Sequence, residues 1–512
     1  MKKSRKILTS LLCLFMVLVL LSACGPSAPA QVGGGDTLVI ATEVDPPSLH
    51  PFNHQNTQSN WVNRFTFATL LRFDPDTLAP TPNLVSGWSL ISDTEWEFTL
   101  HPGIRFHNGE TMTSADVQAS IAYAQTFPEA TAATSLVQEV VIVDDLTFRI
   151  ITNEPSFLLP SHMATGYYSV LPRSLIEAGH DFQAEPIGAG PFRQVEYVLG
   201  ERIVYEAFED FFDPERAPRI PNVIYRFIPE DAARTIALET GEVHFLQTVN
   251  TADLPRLQGD DAIEVQTRTG LQLHFLALNH EHTDIHFDNA IVRQAIDMAI
   301  YKPDIVQAFA NGFATPTYNQ VHENVIGTSF EHINHFDPEG ARALLAEAGI
   351  DPSEIRFQIN VNNDGWRRIA EVIQAQLAQI GITVTNIEQL DMATHVTRVN
   401  GGDFQAAQTS IVLMGTHGIY MIEMVAHSNQ IGGFNRSRVN NPDFDRMIET
   451  AMSTADEALA TRISEELSAE LNAMTLHIPL LLFDVIKAHT ANLVVPEIDA
   501  TGQVNFEMVY WR

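Results

Sequence analysis

Cysteine and lysine are almost missing from this chain. Its only cysteines are Cys13 and Cys24, and Cys13 lies inside an N-terminal apolar run. If that run is removed on export, Cys24 is the sole thiol left, which excludes an intramolecular disulfide and a cysteine metal cluster. Beyond residue 6 the only lysines are Lys302 and Lys487, against 24 arginines. Also missing are a glycine-rich phosphate loop with its lysine, a Gly-x-Ser-x-Gly nucleophile turn, and any short tandem repeat. These absences remove nucleotide hydrolysis, the α/β-hydrolase type of serine chemistry and repeat architectures from consideration.

Positive charge is equally scarce. The 63 acidic residues outnumber the 30 basic ones, giving a formal net charge of −33. Four of the basic residues, Lys2, Lys3, Arg5 and Lys6, precede the apolar stretch from Ile7 to Leu21, and Leu21-Ser22-Ala23-Cys24 follows it. This is the layout of a lipoprotein signal peptide over residues 1–23, and the apolar stretch is shorter than the roughly 20 residues of a bilayer span. Cleavage before Cys24 leaves a lipidated N-terminus and a mature net charge near −37. A surface so negative repels nucleic acid and anionic headgroups, so membrane attachment is expected to come from the lipid alone. Carboxylates with few ammonium groups keep a surface charged at high pH or high salt, which fits an alkaline or saline habitat.

Residues 24–36, rich in Pro, Ala, Ser and Gly, read as a flexible leash, and the fold is expected from Thr37. Strand-like alternation marks Thr37 to Thr42 and Trp96 to Leu100. Val140 to Val143 and Thr147 to Ile151 flank an Asp144-Asp145 turn. Helices are announced by Thr113-Ser114-Ala115-Asp116, by Asp337-Pro338, and by the face Ile369, Val372, Ile373, Leu377, Ile380 that ends at Gly381. Strands mixed with long helices predict an α/β chain of two to four domains.

Several stretches resemble extracellular solute-binding protein family 5, the peptide- and nickel-type receptors of ABC importers. They include Asp45-Pro46-Pro47-Ser48-Leu49-His50-Pro51, Trp96-Glu97-Phe98-Thr99-Leu100, Gly103-Ile104-Arg105-Phe106-His107-Asn108-Gly109-Glu110 and Thr113-Ser114-Ala115-Asp116-Val117. Gly190-Pro191-Phe192-Arg193, Val292-Arg293-Gln294-Ala295 and Asn441-Pro442-Asp443-Phe444-Asp445 follow in the family's order. The resemblance implies a periplasmic-binding-protein-like clamshell of the larger three-lobed class, with mixed sheets flanked by helices. Lobe I is expected from 37–73, 190–282 and 488–512, lobe II from 74–189, and lobe III from 283–487. It further implies a non-enzymatic, monomeric receptor without a cofactor or resident metal, held by lipid on the extracytoplasmic face of the cell membrane. Such a receptor delivers a small solute or peptide to an ABC permease and its ATPase. His107 reads as part of a structural turn, and Arg293 as a brace between packed elements.

The resemblance also locates a candidate ligand set. In peptide receptors of the family an acidic residue in a Trp-x-x-Asp segment holds the peptide amine. The matching segment is Met414-Gly415-Thr416-His417-Gly418-Ile419-Tyr420, with Met414 and His417 at the two hallmark positions. An arginine that holds the ligand carboxylate in dipeptide receptors is replaced by Asn360, counted from Arg367-Arg368. Losing both charge-assisted contacts argues against a free dipeptide and leaves longer peptides, neutral solutes and metal chelates open. The candidates are therefore Asn360, Met414, Gly415, Thr416, His417, Gly418 and Tyr420, with His54, Gln55 and Asn56 from the loop after Pro51. His417 reads equally as a ligand contact and as a hydrogen-bonded interface histidine.

An enzymatic alternative rests on His280-Glu281-His282-Thr283-Asp284-Ile285-His286, one residue off the zinc signature of metallo-β-lactamase-type hydrolases. Its place between a strand and the helix near Ile291 suits a polar connecting loop better. The nickel or metal-chelate receptor is the stronger alternative, on the strength of 19 histidines.

Overall fold

The structure is a computed structural model that describes residues 35–512 apart from Gln55, Asn324 and 414–416. Cys24, the signal segment and most of the leash, together with Gln55, Met414, Gly415 and Thr416, lie outside the described residues. Among the described residues, no helix is long and apolar enough to cross a membrane.

The first strand, Thr37–Thr42, begins where the alternation predicts and lies inside an 11-stranded mixed sheet. Across that sheet the order is Thr383–Gln389, Arg356–Val361, Ala406–Val412, Ile263–Leu278, Ile478–Thr490, Phe245–Leu246, Thr37–Thr42, Asn222–Phe227, Arg202–Ala207 and Phe192–Val198, with Ala314–Pro316 added against Ile478–Thr490. A separate four-stranded antiparallel sheet orders Val85–Ser92, Glu95–Leu100, Thr147–Thr152 and Val137–Ile142, and it encloses its own core around Phe98, Phe106, Phe148 and Ile150.

Two long strands join the halves of the large sheet. Ile263–Leu278 pairs antiparallel with Ile478–Thr490, and the register breaks between Thr269 and Leu273. Gly270 sits in that break. A Cβ there would meet the Phe483 carbonyl oxygen at 2.7 Å and Val485 Cγ2 at 3.0 Å, so only glycine lets the strands cross this closely.

The chain's local signals explain its helices. At Ser114–Ala124, Thr113 and Asp116 form the reciprocal capping box, with Asp116 Oδ2 accepting from Thr113 N at 2.8 Å. Asp337 caps Pro338–Glu347 by accepting from Gly340 N at 2.8 Å. Asp364–Gln379 buries Ile369, Ala370, Ile373 and Leu377 against Phe357, Ile359 and Ala406. On the other face, Val399 of Met392–Gly401 packs with Phe275, Ala407 and Ile411. Consecutive alanines 406 and 407 thus point to opposite cores, as strand alternation demands.

His107 and Arg293 are structural as expected. His107 Nε2 lies 3.0 Å from the Gly190 carbonyl. Arg293, only 2 % exposed, donates to the carbonyls of Thr475, Phe287 and Met474 at 2.7 to 2.9 Å.

Candidate functional site

In sheets with parallel strands, ligands collect outside the carboxyl ends where neighbouring connections leave on opposite faces. Arg356–Val361 meets this condition. The helix Asp364–Gln379 leads from it to Thr383–Gln389 on one face, and the helix Met392–Gly401 returns on the other to Ala406–Val412. Arg356–Val361 and Ala406–Val412 are paired only at Ile359↔Ala406 and Asn360↔Ala407. Beyond those two pairs the strands are no longer hydrogen-bonded to each other.

Asn360, in the last of those pairs, is 1 % exposed. Its Oδ1 accepts from Gln358 Nε2 at 3.0 Å, while its Nδ2 has no partner. Gln408, one residue past the last pair on Ala406–Val412, has neither amide end partnered, and the hydroxyl of Thr409, on the opposite face of the strand, is also unpartnered. His395, on the returning helix, donates from Nε2 to the Gln408 carbonyl at 3.1 Å, which leaves Nδ1 as a bare acceptor. Trp366, in the first turn of its helix, stands edge-on to His395 at 6.0 Å and to His274 at 5.8 Å. Phe309 and Phe483 flank His274 on the other side. Burial lowers the His274 pKa to about 4, and burial followed by the Arg436 charge lowers that of His395 against the opposing backbone bond, so both imidazoles are neutral.

His417 does something different. It caps the helix Gly418–Ala426, with Nδ1 accepting from Ile419 N at 3.2 Å, and Nε2 lies 3.2 Å from Thr461 Oγ1. The ring is 1 % exposed and packs edge-on against Phe157 at 4.9 Å. Burial pushes its pKa down to about 4. Both ring nitrogens are therefore engaged within the protein, in the manner of an interface histidine. Gly418 begins the capped helix, and Tyr420 is hydrogen-bonded to His162 Nε2. Through these two contacts His417 and Tyr420 dock on the 157–162 region.

The loop after Pro51 lies at the other half of the sheet. His54 Nε2 is 3.1 Å from Asn63 Nδ2, and Asn56 caps Thr57–Thr66 by accepting from Ser59 N at 2.8 Å. The helix so started carries Trp61, whose ring is covered by the Lys487 ammonium. Nearby, Glu43 follows the carboxyl end of Thr37–Thr42 and accepts from the Thr248 hydroxyl.

The His280–His286 segment holds its imidazoles apart. His280 Nε2 faces the Leu476 carbonyl at 3.0 Å, His282 Nε2 the Phe404 carbonyl at 3.1 Å, and His286 Nε2 the Glu354 carboxylate at 3.9 Å. Among the described residues no three His, Cys, Asp or Glu side chains are grouped to hold a metal ion.

The profile of the bacterial extracellular solute-binding proteins, family 5 Middle, matches residues 79–433. The chain belongs to this family. Heme-binding protein A of Haemophilus influenzae is 26% identical over 494 residues, covering 86% of this chain and 87% of the relative. The dipeptide-binding protein of Escherichia coli is 24% identical over 463 residues, covering 82% and 84%. Among solved structures, HbpA2 from Haemophilus parasuis superposes with a TM-score of 0.83 at 22% identity, over 93% of this chain and all of that one. A Pseudoalteromonas dipeptide-binding protein in complex with Met-Leu gives 0.71 at 21%, with 93% and 100% covered. The family 5 fold and an extracytoplasmic solute-binding role follow. Asn360 is a candidate from sequence; His274, Trp366, His395, Gln408 and Thr409 are not, because no local motif connects positions so far apart.

Proposed function

We propose that this family 5 protein is the receptor of an ABC importer, capturing an oligopeptide or peptide-like compound between two lobes and delivering it to the permease. The reading divides the chain into lobe I (37–73, 190–282, 488–512), lobe II (74–189) and lobe III (283–487), with closure about the two long strands. The observation that carries it is the set of buried, unpartnered amide groups on Asn360 and Gln408 at the carboxyl end of Arg356–Val361. Amide donors and acceptors of this kind suit peptide amides. Relatives named for dipeptide and glutathione binding support the same class. Closure requires a ligand that favours the closed state. Calorimetry with a mixed tri- to pentapeptide library tests the reading: saturable binding of one peptide per chain is expected, and no heat with any peptide would overturn it.

The signal and leash support a monomer tethered through lipid on Cys24, with no enzymatic role for the His280 segment. A metal or tetrapyrrole chelate is the second reading, favoured by the relative named for heme binding. Tight binding of a chelate in place of any peptide would establish it.

A further inference from the structure

The register break between the two long strands lies beside a carboxylate that has no counter-charge. Asp484 of Ile478–Thr490 stands opposite Thr269 of Ile263–Leu278 in the last pair before the break, and pairing resumes at Leu273↔Leu482. On the other side of Ile478–Thr490 runs Ala314–Pro316, with Thr315 opposite Leu482. Strand alternation therefore sets Thr269, Asp484 and Thr315 on one face of three neighbouring strands.

Their side chains are joined in a line. Thr315 Oγ1 donates to Asp484 Oδ1 at 3.1 Å, and the hydroxyls of Thr315 and Thr269 lie 2.9 Å apart. Because Thr315 gives its only hydroxyl proton to the carboxylate, Thr269 donates to Thr315, so both hydroxyls are committed to orienting Asp484. The acid is half-buried, and burial raises its pKa with only the Thr315 hydroxyl opposing. The two cations nearest to it along these strands are spent elsewhere: Arg268 is paired with Asp76 at 3.1 Å, and Lys487 donates to the Gln247 carbonyl. Both stand on the opposite face from Thr269 and Asp484. A carboxylate drawn out of water without a partner costs free energy, which a cation brought from outside offsets through a charge-assisted bond.

An amine-bearing ligand needs such an acid in this chain. His417 stands at the position where peptide receptors hold the amine, yet both its ring nitrogens are engaged within the protein. Asp484 lies instead on the strands about which the proposed receptor closes, where its two halves join. We infer that Asp484, oriented by Thr315 and Thr269, is the seat for an ammonium group of the bound ligand, supplied by a peptide's amino terminus or by a lysine side chain. This rests on the peptide reading of the function and adds to it the charge that the ligand carries.

The full mature chain is titrated with C-terminally amidated tetraalanine bearing a free amino terminus, with its N-acetyl form, and with the N-acetyl form carrying lysine at the second position. An ammonium-bearing peptide is expected to bind roughly tenfold tighter than the uncharged one. Preference for the free amine assigns the seat to the amino terminus, and preference for the lysine peptide assigns it to a side chain. Asp484→Asn keeps the size of the side chain and an acceptor for Thr315, and should erase the preference while leaving the uncharged peptide's affinity unchanged. Persistence of the preference in Asp484→Asn, or equal weakening of all three peptides, would overturn the assignment. Equal affinity of all three for the wild type would overturn it too while leaving the peptide reading intact; no binding of any peptide overturns that reading itself. A second measurement needs no ligand: because the charge is uncompensated in the free protein, Asp484→Asn should melt at or above the wild-type temperature near neutral pH. A clear loss of melting temperature would show that the charge serves the fold, and would overturn the assignment.

Discussion

The ammonium of Lys487 lies 4.7 Å over the ring of Trp61 and donates to the Gln247 carbonyl at 2.6 Å. It is 2 % exposed and, among the described residues, no carboxylate comes within ion-pair distance. Lys302, by contrast, is buried against Asp297 at 2.9 Å. Both lysines among the described residues are therefore interior, and arginine supplies their surface cations apart from histidine. A surface without lysine amines holds its positive charges at high pH, because arginine stays protonated there.

Lys487 should make stability rise with pH. Burial lowers its pKa to about 7, with Asp499 and Glu43 opposing, against an ordinary value near 10.5. Between those values the unfolded chain binds more protons than the folded one, so unfolding becomes harder as pH increases. The stabilisation is fully present above the ordinary value and is lost as pH falls towards 7. At about 1.4 kcal/mol per unit the total is of order a few kcal/mol. Denaturant melts of wild type and Lys487→Met from pH 6 to 10.5 should show the wild type gaining on the variant; parallel curves would contradict the assignment.

His417→Ala should cost about 1 kcal/mol through the lost helix cap alone, and more through the vacated contact with Phe157. His417→Asn should recover the capping part. Since burial holds the imidazole near 4, ligand affinity should be flat between pH 6 and 8. This moves the pH response expected of an exposed histidine ligand out of that range. A sharp loss of affinity between pH 7 and 6 that disappears in His417→Asn would restore His417 as a titrating ligand contact.

Much of this fold was legible because its signals are local. Thr113 and Asp116 lie three residues apart and cap the same helix, Asp337 caps the turn next to it, and Thr37 to Thr42 alternates as a strand must. The candidate site was less legible. Asn360 is a candidate through its spacing from Arg367 and Arg368, whereas Gln408 and His395 meet each other only once the helix Met392–Gly401 has crossed one face of the sheet. His417 occupies an aligned position, yet its environment is set by Phe157 and Thr461, hundreds and tens of residues away. The scarcity of lysine was plain from composition, while the burial of both survivors was not.

Gly270→Ala should impair closure more than its size suggests. The added methyl would press on the Phe483 carbonyl and Val485 where the two connecting strands change register. Overpacking of this kind costs about 1 to 3 kcal/mol. Melting temperature should drop, and peptide affinity should fall in protein that remains folded at the assay temperature. Unchanged stability and affinity would mean that the crossing tolerates a side chain.

If the chain is cleaved before Cys24 and lipidated there, as proposed, Cys24→Ala should release it from the membrane, because Cys13 is lost with the signal segment. Fractionation of cells expressing each form measures this directly. A variant that stays membrane-bound at unchanged yield would point to another anchor.

The most direct test is native mass spectrometry of the purified full-length mature protein after incubation with a tri- to pentapeptide library. One peptide retained per chain is the expected result. Retention of a metal chelate or tetrapyrrole instead, or no peptide adduct at all, would contradict a peptide receptor.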